Sequence, residues 1–351
     1  MTQEGRIAPL DAARGLAVMG MVWTHFVGTE GCQGWFECGA SAIALMIYGR
    51  EAALFFVLAG MSWAMQSARG DRVGRRALAL GLFGFAFGRI FWPTEVLVPL
   101  ALSMPIVVAL ARPGRTWTLV LAGVLILVAM PVADLAYGDY AWTDWNEDGT
   151  EHHAESTVGW VTLRYYLLTG NYPLIGWLVL PILGALAVRN GWLEAARHSR
   201  RPAALAFGVA TLAGVCPQLV EQDIVRADEF AAWFECTWIP TTIPFALCEG
   251  GIALGVIFLC LRADFAPALL ARHGRASLTH YVAHIALVFT ALRAIWPDED
   301  WSVTVGVAAF VGYWMFAHWF QARWFARRRR GPLEASWDRV AGRVGGPHRE
   351  N

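Results

Sequence analysis

The sequence predicts an all-α fold: a polytopic integral membrane helical bundle of about ten transmembrane helices, with the N and C termini cytoplasmic. Three observations predict it: the composition, the recurrence of long apolar runs, and the alternating charge of the connections between them. Hydrophobic residues make up 56% of the 351 residues and charged ones 16%, with a mean hydropathy of +0.43. Soluble domains carry roughly a quarter charged residues. A single core cannot hide this much apolar surface, so the excess must face lipid or another span. Net charge is zero, which gives no argument for a nucleic-acid partner.

A spanning helix needs about 20 apolar residues. Candidate runs lie near 8–28, 40–67, 76–92, 95–112, 116–136, 160–188, 203–219, 240–262, 276–296 and 301–321. The third and fourth are separated only by the short connection Trp92-Pro93-Thr94-Glu95. Every Lys or Arg in the chain is an Arg, and the clusters fall in alternate connections: Arg69 to Arg76, Arg112 and Arg115, Arg189 to Arg201, Arg262 to Arg275, and Arg323 to Arg330. The intervening connections are acidic and aromatic, among them the long stretch Tyr137 to Trp160. The positive-inside rule puts the Arg set in the cytoplasm, and Trp at span ends fits interfacial belts. The first run embeds Asp11 and Arg14, which a cleavable signal would not tolerate, so no signal peptide is expected. The chain divides into a helical membrane domain, 1–320, and a basic cytoplasmic tail, 321–351.

Cys32 and Cys38 fall in the first outer connection, and Cys216 and Cys236 flank a later one. On an oxidising face each pair is a disulfide candidate, with simple packing as the competing reading. Cys248 and Cys260 lie within a span and read as packing residues. His152-His153 lacks the spacing of a zinc motif, so no metal site is expected.

Ionisable groups within a span cost about 2.5–3.5 kcal/mol or more each and usually mark function. Asp11 and Arg14 share a helix face. Arg14 and His25 also share a face, roughly 16 Å apart along the axis. For Asp11 and Arg14, an internal ion pair and a substrate role are both open readings. His25 reads as functional, because imidazole titrates near neutral pH and is the commonest general base. Arg50 and Glu51 sit midway down the second span and point about 100° apart, toward different neighbours. His280 and His284 share a face of a later span, which also carries Arg293.

The segment from Arg6 through Leu10-Asp11 and Arg14 to His25 resembles the entry span of the transmembrane acyltransferase superfamily. The spacing from Arg14 to His25 is that of acyltransferase family three, and Phe55-Phe56-Val57-Leu58-Ala59-Gly60 looks like its Phe-Phe-x-x-Ser-Gly signature with Ala59 for Ser. Heparan glucosaminide acetyltransferase is a more distant relative with a similar first span. Three further segments resemble YeiB-like membrane proteins, a bacterial family of unknown function. They are Thr169-Gly170-Asn171-Tyr172-Pro173, Gly274-Arg275-Ala-Ser277-Leu278-Thr279-His280-Tyr281 and Gly331-Pro332-Leu333-Glu334. YeiB-like proteins usually carry Asn where this chain has His25, a difference toward the acyltransferases. Ala53 replaces an Asp common in acyltransferase family three, and Arg50 matches the basic YeiB-like position.

The resemblance implies transfer of an acyl group, most simply acetyl, from cytoplasmic acetyl-CoA or another acyl-CoA that is a substrate and not a tightly bound cofactor. Arg14, Arg50, Arg72, Arg75, Arg76 and Arg275 are candidates for its phosphates, since guanidinium groups bind phosphate bidentately. For each loop arginine taken singly, positive-inside orientation is the better account. His25 would act as general base on a hydroxyl or amine, with Glu51, Tyr172, His280 and His284 orienting it or shuttling protons. Asp11 joins His25, Glu51 and His284 as a catalytic candidate, and Asn171, Tyr172 and His280 join the arginines Arg14, Arg50 and Arg275 as candidates for substrate binding. The implied acceptor is a sugar or other envelope molecule, the partner surface a lipid bilayer, and the location a bacterial plasma membrane. A transporter or flippase of a small or lipid-linked substrate is the alternative, since buried charges and Pro-broken spans occur there too.

Overall fold

In a computed structural model of the chain, the described residues are 7–27, 34–67, 73–92, 95–112, 114–142, 162–163, 165–221, 242–297, 301–328 and 330–341. Among them the structure is helical and contains no strand. The helices are α1 (Ala8–Val27), α2 (Gly34–Ile47), α3 (Arg50–Ser67), α4 (Val73–Ile90), α5 (Leu97–Leu110), α6 (Thr116–Trp142) and α7 (Leu174–Arg189). They continue with α8 (Trp192–His198), α9 (Arg201–Glu221), α10 (Ile243–Arg262), α11 (Ala268–Gly274), α12 (Ser277–Ile295), α13 (Val303–Phe325) and α14 (Pro332–Ala341).

Among the described residues, four helical runs are long and apolar enough to cross a membrane: Gly34–Gln66, Ile243–Arg262, Ser277–Ile295 and Val303–Phe325. The pair Leu174–Arg189 and Trp192–His198, bent by 67° at Gly191, makes a fifth if taken as one span. The stretches Leu97–Leu110, Thr116–Met130 and Arg201–Val215 are apolar but shorter. The second expected span is therefore part of a run that begins at Gly34. It is interrupted by a turn at Gly49, whose φ of 79° lies in the left-handed region. Arg50 and Glu51 thus open a new helix instead of lying in the middle of one.

Cys32, Cys236, Arg69, Arg72, Pro93, Thr94, Arg329, the His152–His153 pair and the acidic connections at 143–160 and 222–241 lie outside the described residues. Cys38 is disulfide-bonded, while Cys248 and Cys260 are free and buried.

The chain forms two compact units, whose division falls within α3 and α10. The first comprises Met1–Phe55 and Val256–Arg343. Its axis is α1, which packs against α2, α11, α12 and α13. Glycines make these approaches possible: a Cβ at Gly15 would overlap the backbone of Leu270, one at Gly274 that of Asp11, and one at Gly306 that of Phe26. The C-terminal end of α1 is held by Trp301, whose indole N–H donates to Phe26 O at 2.8 Å. Val27, Ala40, Ala44 and Val303 pack together there.

The second unit comprises Phe56–Gly255 and Val344–Asn351. Here α4 and α5 pack against each other across the short connection that the sequence left between two spans. Glu95 starts α5 by accepting from the N–H groups of Leu97 at 2.5 Å and Val98 at 3.0 Å. Gly60 lies against the backbone of Pro181, and Gly184 against that of Val57, so α3 and α7 touch main chain to main chain. A π-helical turn at Tyr165–Thr169 precedes Asn171 and Tyr172.

Candidate active site

The first unit gathers most of the residues that the sequence singled out. On α1, Asp11 is buried and paired with Arg14 at 2.6 Å. The pairing removes much of the cost of burying either charge. One face of the same helix carries His25 toward its other end.

His25 meets α12. Its Nδ1 lies 2.8 Å from Nε2 of His284, with the two rings nearly parallel and their centroids 5.0 Å apart. His284 is fully buried, and its own Nδ1 lies 2.9 Å from the carbonyl oxygen of His280. A carbonyl only accepts, so His284 Nδ1 carries the proton and, in the neutral ring, Nε2 is an acceptor. His25 Nδ1 must then donate to it. Nε2 becomes the basic nitrogen of His25, as the tautomer follows from the hydrogen bonds. Phe26 and Phe289 stand beside the two rings. The arrangement is a base oriented by a second ring that is oriented in turn by the backbone, the logic of a catalytic triad with a neutral partner in the last place.

Local sequence explains why His284 is presented in this way. From His284 to Phe289 the helix widens into a π-helical turn, and Thr290 donates its hydroxyl to Ile285 O at 2.9 Å inside it. Such turns recur at functional sites because they displace side chains from the regular 3.6-residue period. His280, one turn earlier, looks elsewhere. Its Nδ1 lies 2.7 Å from the Tyr313 hydroxyl of α13, and its Nε2 lies 2.9 Å from Nδ1 of His273 on α11. The Gln321 amide also reaches His280 Nε2. Trp314 covers both rings, with centroids 4.7 Å from His273 and 5.0 Å from His280.

Glu51 lies in the first turn of α3, and Thr24 beside His25 donates to its Oε1 at 3.2 Å. The other oxygen, Oε2, is buried with no protein partner. Arg50 donates to Met46 O at 2.5 Å and Leu45 O at 3.4 Å, capping the last carbonyls of α2. Arg275 lays its guanidinium over Phe325, 4.9 Å from the ring centroid. Asn171 and Tyr172 belong to the second unit, where the Tyr172 ring packs edge-on against Trp177 at 4.8 Å. Among the described residues no group of three His, Cys, Asp or Glu side chains could hold a metal ion.

Sequence reasoning did not find His273, Thr24, Tyr313 or Gln321 as partners of the site. His273 precedes His280 by seven residues, which would be two turns of one helix. The break at Arg275-Ala276 separates them into two helices, so periodicity could not connect them. Tyr313 and Gln321 meet His280 only through the tertiary packing of α13.

Residues 6–215 match the family described as "Heparan-alpha-glucosaminide N-acetyltransferase, catalytic". The chain belongs to this family. Residues 187–343 also match the family described as "Protein of unknown function (DUF418)". The YeiB-like resemblance, with its acyltransferase relationship, therefore holds. No curated protein and no solved structure matches the chain. The acetyltransferase-family region carries Asp11, Arg14, His25 and Glu51, and the second region carries His273, His280 and His284. The contact between His25 and His284 joins the two matched regions. Family membership and the apolar helices together make this a multi-pass membrane protein with acetyltransferase-like character.

Proposed function

We propose that the chain is a membrane-bound acetyltransferase in which His25 is the general base. The observation that carries this reading is the hydrogen-bond chain from His280 O through His284 to His25, which assigns the lone pair to His25 Nε2. In the proposed reaction an acceptor hydroxyl or amine gives its proton to His25 Nε2 and attacks the carbonyl carbon of an acyl-CoA thioester. The new C–O or C–N bond forms, the C–S bond breaks, and the proton passes from His25 to the departing CoA sulfur. While His25 is cationic, its Nδ1–H bond to His284 Nε2 is charge-assisted and stronger.

The donor is read as cytoplasmic acetyl-CoA, with Arg14 on its side of α1 and Arg50 and Arg275 as further candidates for the phosphates. The acceptor is read as a polar envelope molecule, such as a sugar, approaching from the other face. About ten spans with both ends in the cytoplasm of a bacterial plasma membrane remain the topology that the charge alternation favours. Glu51, with one buried oxygen lacking a protein partner, suits a hydrogen bond to substrate.

The test is His25→Ala in purified protein supplied with radiolabelled acetyl-CoA and candidate acceptors. General acid–base assistance is worth about 10²–10⁴-fold, so acetyl transfer falls by at least about 10²-fold in a folded variant. Transfer at the wild-type rate removes His25 from the chemistry.

A further inference from the structure

The tail helix α14 carries a carboxylate that reaches a second helix, α12. Glu334 Oε1 accepts from the N–H of Leu278 at 2.7 Å and of Thr279 at 3.1 Å, and Oε2 accepts from the Thr279 hydroxyl at 2.6 Å. Thr279 Oγ1 in turn accepts from the N–H of Leu333 at 3.1 Å. Four hydrogen bonds thus tie the start of α14 to the first turn of α12 across more than fifty residues of chain. We infer that Glu334 is a positioning residue for the His25–His284 pair, acting as an N-cap supplied from the tail; this rests on the catalytic reading given above.

The physical need for such a cap is visible in the sequence. The first N–H groups of any helix lack intrahelical acceptors. They are normally met by Ser, Thr, Asp or Asn at the capping position. In α12 that position is Ala276, which has no side-chain acceptor and makes no cap hydrogen bond. A carboxylate there also interacts favourably with the positive end of the helix dipole. Glu334 meets both needs.

What the cap holds is the acceptor that sets the tautomer. His280 lies immediately after Thr279, within the first turn of α12, and its carbonyl oxygen receives the proton of His284 Nδ1. If this turn frays, the carbonyl swings, His284 loses its fixed tautomer, and His25 loses the acceptor for its Nδ1–H. The tail is braced for this task. Trp324 donates its indole N–H to Arg330 O at 2.6 Å, Arg330 pairs with the buried Asp338, and Gly331 fits against Ala276 with no room for a side chain. The cap also explains why the two sequence segments Gly274–Tyr281 and Gly331–Glu334 stand out together: they are the two halves of one contact.

The experiment compares wild type, Glu334→Ala, Glu334→Gln and Thr279→Ala in the full chain in lipid nanodiscs, with three readouts. Amide hydrogen exchange across 277–284 reports the cap, nitrogen-15 histidine spectra report the ring tautomers, and steady-state kinetics with acetyl-CoA report the rate. Glu334→Ala is expected to raise exchange at 278 and 279 and to mix the His284 tautomers. It should also lower kcat about tenfold or more, the scale for losing an outer-shell partner, with KM for acetyl-CoA unchanged within about twofold. Glu334→Gln still offers an oxygen to both amides and restores most of each readout, and Thr279→Ala falls between.

Unchanged exchange and spectra in Glu334→Ala overturn the proposal. So does a Glu334→Gln variant as impaired as Glu334→Ala. If Glu334→Ala does not fold, Thr279→Ala decides: wild-type exchange and tautomers there overturn it equally. Absence of acetyl transfer in the wild type would sink the catalytic reading alone, because exchange and ring spectra still test the cap.

Discussion

The polar contacts described in the two units differ in kind. In the first, buried and half-buried polar side chains find one another across long sequence distances: Thr24 with Glu51, His25 with His284, His280 with Tyr313, and Thr279 with Glu334. In the second, two of the described groups, Glu95 and Arg189, lean on nearby or facing main chain. Glu95 holds the amides that start α5, and Arg189 donates to Ala64 O at 2.9 Å, although Tyr166 also bonds Glu95. Main-chain satisfaction fixes helices and little else. Side-chain pairs with selectable protons can also do chemistry, at the cost of needing every partner in place. The difference marks the first unit as the part of the molecule where small displacements matter to function.

Glycine substitutions sharpen this contrast with the largest effects. A valine at Gly274 would drive its side chain into the backbone of Asp11, and a valine at Gly60 would do the same to Pro181. Backbone cannot repack as a side chain can, so each should cost at least about 3 kcal/mol, the upper end for overpacking. Thermal unfolding in detergent measures the two losses. A partial rescue by lower temperature is expected to return function in Gly60→Val more fully than in Gly274→Val, whose displaced α1 carries Arg14 and His25. Equal recovery of both would break the comparison.

The second effect concerns His284. Replacing it with Ala removes the acceptor that fixes His25 while leaving the base itself. Acetyl transfer should fall about 10²-fold, within the range of general-base assistance, with thermal stability changed less than by the glycine variants. Transfer within twofold of wild type would reduce the pair to a packing contact.

How much of this was legible in the sequence depends on the range of the interaction. The pairing of Asp11 with Arg14 follows from a separation of three on a helix, and it is present at 2.6 Å. His280 and His284, four apart, were rightly placed on one helix. Spacing could not show that the two rings take different partners, since a π-helical turn begins at His284 and the partners come from α1, α11 and α13. The turn at Gly49 was equally hidden, because the run Gly34–Gln66 as a whole is apolar enough to read as one span despite the charges at Arg50 and Glu51. It moves Arg50 from mid-span to the head of α3, where its guanidinium caps α2. Composition did reveal the helical membrane class, since an excess of apolar residues is a global property that no local interruption removes.

The smallest effect tests whether the α11 end of the histidine network is held neutral. His273 lies on α11, outside the spans, and burial first, then the charges of His318 and Arg272, lower its pKa from 6.5 to about 4. His280 on α12 faces it as well. With the folded value below the unfolded one, the unfolded chain takes up the proton first as pH falls. The stability that neutral His273 contributes is therefore fully present above about pH 6.5 and is lost progressively toward about pH 4. Over the upper part of that window, down to about pH 5, the loss amounts to about 1–2 kcal/mol. Thermal unfolding of wild type and His273→Gln across this range checks it. The Gln variant is less stable at neutral pH, having lost the ring that reaches His280, but its stability declines less steeply on acidification. Parallel pH profiles for the two proteins would show that the acid sensitivity of the first unit arises from other groups, and that the network tolerates a charge at its α11 end.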